Sequence, residues 1–341
     1  HIEIIIKQMF SRVQEGVVYM NCVFRDTRWI GVSLHHVRFI NCHFDHMFCA
    51  GMHATDVQWD TCVMRDLEWQ EVDIQQSQIM NCEVTNWHMD FSQLMHVGLT
   101  KARVSSWHLT DCQLQHLTWM DCDIQQFTQI ASRASDMSWI DSKITDARVE
   151  RCNLERFITA QSTLTRFNLM ACTGSQVRAT QSNLAHATYR DNDMGGSSWS
   201  HSELNDCQFV NCTLPLAGFD SATLNRVCFD RVEMPRAMFD RASAQAAQFK
   251  NVQAPNASFR NVRFFDVAFN RATLSELDGR GLHADFMTLR DVDCRRANLI
   301  GQEPQAWHGA QLQGALFEEP KELNDRTWWL ETSPGHRVAL S

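Results

Sequence analysis

Apolar side chains recur every fifth residue along most of this chain. Of the 60 positions ending in 4 or 9 between Ile4 and Leu299, 55 are apolar, and the exceptions are Gln14, Gln129, Thr159, Gly174 and Gly279. A second class lies two residues earlier, where 56 of 60 positions are apolar or Ser and the exceptions are Lys7, Arg12, Thr27 and Asn192. Neither a helix, with a period of 3.6, nor a strand, with a period of 2, produces this spacing. A chain that turns two side chains inward, bends, and repeats five residues later winds as a solenoid with short flat sides. The number of sides is also legible. Cys22, Cys42, Cys62 and Cys82 recur every 20 residues, followed by Ala102, Cys122, Ser142, Ser162, Ser182 and Ser202, so four five-residue sides complete each coil. A neighbouring side prefers larger residues at the matching position, as Trp87, Trp107, Phe127 and Phe167 show.

Several pentads carry a family resemblance: Ala297-Asn298-Leu299, Ala272-Thr273-Leu274, Ala222-Thr223-Leu224, Cys152-Asn153-Leu154 and Ser182-Asn183-Leu184. They resemble the Ala-(Asp/Asn)-(Leu/Phe)-x-x unit of the pentapeptide-repeat family, over roughly residues 17 to 299. The resemblance implies an all-β protein, a right-handed quadrilateral β-helix of about fifteen coils. At the strand spacing of about 4.8 Å this makes a rod roughly 70 Å long. The chain departs from the consensus by placing Cys, Trp and Met inside. It also carries Val23, His43, Val63, Glu83 and Arg103 where the unit has Asp or Asn.

Solenoid ends expose strand edges that need cover. The expected division is a β-helix over 1–301 and a second segment over 302–341. The register breaks at Gly301-Gln302-Glu303-Pro304, and two shifted pentads follow, Ala310-Gln311-Leu312 and Ala315-Leu316-Phe317. Trp328, Trp329 and Leu330 are then expected to cap the last coil, with a dimerisation element as the alternative. At the other end Lys7, Arg12 and Gln14 occupy inward positions. An upstream domain or another subunit is expected to cover that first coil.

Composition narrows the class. With 44% hydrophobic and 21% charged residues the 341-residue chain is expected to fold, and it has no run of 18 apolar residues. The N-terminus lacks the basic start and cleavage site of a signal peptide, so the expected location is the bacterial cytoplasm, or export by a dedicated machine. Thirteen Cys, an odd number with no CxxC pair, suggest free thiols rather than a disulfide framework or zinc ribbon. The net charge of −9 is uneven: residues 1–100 carry 6 Lys/Arg against 12 Asp/Glu, while 101–200 and 201–300 balance. No basic nucleic-acid-binding patch is present.

Candidate chemistry is sparse. The cluster Cys42-His43-Phe44-Asp45-His46-Met47-Phe48-Cys49 contains zinc-ligand types, but the register turns Cys42 and Cys49 inward and His43 and His46 outward, so they do not converge. Neither metal nor cofactor is expected. The 20-residue rule stacks Asp26, His46 and Asp66 in one surface column and His96, His116, Asp136 and Arg156 in another, as acid-responsive groups or as plain solvated ladders. A third column places Met20, Ile40, Met80, Met120 and Ile140 outward on one side, interrupted by Asp60 and Thr100. An apolar stripe in register on a polar rod is a candidate partner-binding site.

No GxSxG, HExxH or phosphate-cradling Gly-rich loop is present, and a filled β-helix offers no internal pocket. The expected function is a non-catalytic protein-binding scaffold or adaptor that contacts no nucleic acid directly. The family resemblance adds bacterial secretion, type VI included, as a setting; a homodimer through the C-terminal segment is an open alternative. Two other readings remain. One is a mimic of DNA that occupies a type II topoisomerase, although 70 Å of duplex carries roughly 40 negative charges and the arginines 226, 231, 236 and 241 ring a single coil. The other is a rigid spacer between domains.

Overall fold

A computed structural model describes residues 13–320. It is all-β apart from one short 3-10 turn, and the strands wind as a parallel solenoid of about 15 turns. Each residue pairs with the one twenty further on: Val13 with Ser33, Val84 with Val104, Phe229 with Phe249. Parallel pairing satisfies the backbone between coils, and the five-residue period of the sequence is the length of one side.

The corners are what makes the period five. At each corner a residue whose number ends in 1 or 6 enters the left-handed backbone region, among them Asp66 at φ 55°, Gln76 at 51° and Phe91 at 52°. One left-handed residue turns the chain by one side of the square and leaves the next four free to run straight. Between Val63 and Ile130 the strands continue through these bends as eight-residue segments, Val63–Gln70, Asp73–Met80 and Glu83–Asp90 being the first three. From about residue 184 onward many corners tighten into hydrogen-bonded turns, such as Ala187 N–H to Leu184 C=O at 3.1 Å and Ala217 N–H to Leu214 C=O at 3.2 Å.

Both inward classes are largely buried, and large residues stack ring on ring in three separate columns. Trp87 lies on Trp107 at 4.4 Å, Trp119 on Trp139 at 4.5 Å, and Phe209, Phe229, Phe249 and Phe269 form a continuous pile. The offsets and tilts suit the aromatic quadrupole and add to the area each ring removes from water.

Small residues at the other inward position answer a hydrogen-bonding need. There the inward N–H of several coils is met by a side chain of the next one: Val57 N–H donates to Ser77 Oγ at 3.1 Å, Val72 to Ser92 at 3.1 Å and Cys122 to Ser142 at 3.1 Å. Asn192, an exception to the pattern, does the same work: its Oδ1 accepts the Cys172 N–H at 2.9 Å and its Nδ2 donates to the Leu169 carbonyl at 2.9 Å. Gly174 is a second exception with a physical cause. A Cβ there would meet the Leu154 carbonyl oxygen at 1.8 Å, with φ at 141°.

Near the C-terminal end the coil shortens. Val292 pairs with Ala310 and Asn298 bridges Leu316, a step of eighteen residues. The 3-10 turn Pro304–Trp307 absorbs the difference and sends Trp307 into the core. Ala310 and Leu316 of the two shifted pentads thus lie in register on the last full coil. Trp328, Trp329 and Leu330 lie outside the described residues.

Candidate partner-binding face

The proposed stripe is one ladder in space. Met20 pairs with Ile40, Ile40 with Asp60, Asp60 with Met80, Met80 with Thr100, Thr100 with Met120 and Met120 with Ile140. All seven side chains stand on one side of the rod because they are one full coil of twenty residues apart, and each follows an inward residue and precedes a corner. Met20 is 56% exposed and Met120 43%, while Ile40, Met80 and Ile140 are half-buried by their neighbours along the ladder. The sequence reading missed Ile158, 38% exposed on the next outward column of the same side, one coil beyond Ser138. Its signal, a position ending in 8 on that side, was available.

The ladder changes character beyond Ala160. Thr180 and Ser200 follow, and then a charged network takes the same column. The buried carboxylate of Asp240 accepts from Ser258 Oγ at 2.5 Å, from the Arg260 amide at 3.2 Å and from the Arg260 guanidinium at 3.0 Å. Arg241 reaches Asp220 at 2.6 Å. The apolar stretch therefore has a definite length, from Met20 to Ala160.

The histidine columns stack as the register requires. His46 lies 3.5 Å from Asp66; His96 and His116 rings stack at 4.5 Å, His116 lies 3.8 Å from Asp136, and Arg156 reaches Asp136 at 2.7 Å. The Arg156 guanidinium holds the Asp136 carboxyl below its usual range, and Arg226 does the same for Asp206. Further pairs of the same kind, His36 with Asp56 at 2.5 Å and His53 with Asp73 at 3.7 Å, follow from the same spacing and went unread. All are exposed pairs, so each contributes little to stability.

Cys42 and Cys49 are buried while His43 and His46 face outward, so this cluster has no common centre. Among the described residues no group of three or more His, Cys, Asp or Glu is placed to hold a metal ion. The thiols are core groups: Cys62 Sγ donates to the Phe39 carbonyl and Cys82 Sγ to the Trp59 carbonyl, both at 3.3 Å. Burial pushes Cys207 and Cys294 up to about 12. Arg226, Arg231, Arg236 and Arg241 stand at the four corners of one coil, each with a left-handed backbone.

A parallel four-sided coil that bends every five residues and repeats every twenty is a pentapeptide-repeat β-solenoid, and that is the class of this chain. No protein-family model and no curated protein matches it. Among solved structures it is similar to HetL, a pentapeptide repeat protein involved in heterocyst differentiation regulation from the cyanobacterium Nostoc, at 18% identity and a TM-score of 0.29 over 65% of this chain and 87% of that one. It is also similar to trypsin-treated QnrB1, a plasmid-mediated fluoroquinolone resistance protein, at 11% identity and a TM-score of 0.31 over 61% and 91%. A third similar structure is an enzyme, the A-module of the mannuronan C-5 epimerase AlgE6 of Azotobacter vinelandii, at 8% identity and a TM-score of 0.33 over 88% and 91%. These likenesses are of the coil and carry no argument about activity. No helix among the described residues is long and apolar enough to cross a membrane.

Proposed function

We propose that this chain is a non-catalytic scaffold that binds another protein along the side carrying Met20, Ile40, Met80, Met120 and Ile140. The observation that supports it is the placing of these residues in one outward ladder, interrupted by Asp60 and Thr100, that gives way to a charged network beyond Ala160. Apolar residues gathered in register on a rigid surface bury together when a partner docks, whereas scattered ones do not. An adaptor role in bacterial secretion, type VI included, is part of this proposal on the resemblance of the repeats alone. A cap or dimer contact through Trp328, Trp329 and Leu330 belongs to the same proposal.

The DNA-mimic reading is the weaker one. Over residues 136–260 acidic and basic side chains are equal in number, and Asp136 pairs with Arg156, Asp206 with Arg226, Asp220 with Arg241 and Asp240 with Arg260, so that length carries no net negative charge.

The test is an affinity capture from native extract with the full chain and with a Met80→Glu/Met120→Glu variant, circular dichroism checking that both are folded. Capture of a protein by the parent and its loss from the variant is the expected result. Equal capture by both removes the stripe, and recovery of a type II topoisomerase by both puts mimicry first.

A further inference from the structure

A different side of the rod, the one carrying Glu68, His88 and Asp90, holds an exposed aromatic among carboxylates. Phe91 is 64% exposed and sits at a corner with φ 52°, a conformation that an aromatic residue rarely takes. Corners elsewhere on this molecule are mostly polar or charged. Its neighbours on the corner column are Glu71 on the coil before, whose N–H bonds the Asp90 carbonyl, and Asp111 on the coil after. Beside it, between adjacent coils, lies a recess of about 240 Å³ lined by Glu68, Trp69, Gln70, His88 and Asp90.

Charge adds to the aromatic here. Among the described residues no cationic side chain lies within ion-pair distance of Glu68, Glu71, Asp90 or Asp111, whereas Asp136, Asp206, Asp220 and Asp240 further along each pair with an arginine. On the flanking columns Arg65 stands before the Asp66 corner on another side, and Arg133 and Arg151 lie two and three coils past Phe91. The chain's own basic residues do not fill the recess. The same side does show what fits such a surface: Arg28 lies over the Phe48 ring at 4.9 Å.

We propose that this strip is a docking site for an arginine-bearing segment of a basic protein partner. The guanidinium enters the recess between Glu68 and Asp90, and Phe91 packs on the arginine stem or on an apolar residue next to it. A planar guanidinium suits two carboxylates approached from one side and also stacks on an aromatic face, which an ammonium does less well. The proposal deepens the scaffold reading by naming a partner chemistry, but it uses a separate side of the coil.

The test is fluorescence anisotropy of a dye-labelled alternating Arg-Gly peptide titrated with the full chain at moderate salt. Phe91→Ala and Glu68→Gln/Asp90→Asn should each weaken binding about 10-fold, while Asp121→Asn/Asp141→Asn, an equal charge change at another corner, should cost less than about 2-fold. A Lys-Gly peptide should bind more weakly than the Arg-Gly one. Absence of binding overturns the proposal. So does equal loss in both charge variants with Phe91→Ala silent, since that is diffuse electrostatics. Met80→Glu/Met120→Glu should leave the peptide affinity unchanged, so failure of the stripe and failure of this site are told apart.

Discussion

His88 and His108 stack face to face at 4.8 Å on adjacent coils, and burial of His108 with the His88 ring beside it holds the His108 imidazole below its ordinary pKa. In the unfolded chain that imidazole titrates near its ordinary value of about 6.5. As the pH falls through that value the unfolded chain takes up the proton first, so the stability present above it is lost until the folded pKa is reached. Thermal unfolding should therefore occur at a lower temperature at pH 5 than at pH 7.5, and His108→Asn should shrink the difference. The carboxylates held low by arginines do not enter this window, because they titrate below it. An unchanged pH dependence in the variant would remove the stack as its cause.

Asn192 closes two backbone groups inside the coil, the Cys172 N–H and the Leu169 carbonyl. Asn192→Ala leaves both without a partner in the core and should cost about 2–4 kcal/mol in urea unfolding. Asn192→Ser, which keeps an acceptor of the kind used at Ser142, should recover about half of that loss.

Gly174→Ala should be as damaging by another route. The added methyl would meet the Leu154 carbonyl oxygen at 1.8 Å, and the backbone between the two coils has to part to admit it. The expected loss is about 2–4 kcal/mol, from strain together with overpacking. A change of less than about 1 kcal/mol would show that the coils yield there more easily than packed interiors do.

Asp240 is 3% exposed and is held by Ser258 and Arg260. Asp240→Ala should destabilise the fold by about 1–3 kcal/mol, because the Ser258 hydroxyl and the Arg260 amide lose their acceptor. Asp146→Ala, at an exposed pair with Arg166 on the next coil of the same column, should leave the denaturation midpoint nearly unchanged. The two variants compared by chemical denaturation separate buried from surface pairing.

Of the thirteen thiols only Cys228 is not fully buried. Titration of the native protein with a neutral disulfide reagent should show one slowly reacting thiol, lost in Cys228→Ser, and thirteen in denaturant. Several fast thiols in the native state would mean that the coils open locally.

The fold was legible because inward residues had no choice. A side chain at a position ending in 4 or 9 points into a column with no water, and the chain records that demand at nearly every repeat. The corners were not legible, although they set the period. Left-handed backbone is usually betrayed by Gly or Asn, but here parallel pairing on both flanks holds Asp66, Arg226 and even Phe91 in that conformation, so no residue type marks it. The hydrogen-bonding duty of Ser and Asn at the small inward position was hidden for a similar reason: it involves the backbone of a coil twenty residues away. The stripe could be assembled from the period alone, whereas the recess beside Phe91 could not, since its shape depends on where side chains on two coils leave a gap.

The constant side length has one more consequence. Five residues inserted at a corner near Ala131 would keep every inward side chain inward, yet every column beyond would turn by a quarter of a circle. Ile140 would then stand a quarter turn from Met120, and Trp139 would leave its stack on Trp119, so the interior would have to repack around an intact inward pattern. On this rod the surface chemistry is stored as an angle, and sequence change can rotate it without remaking it.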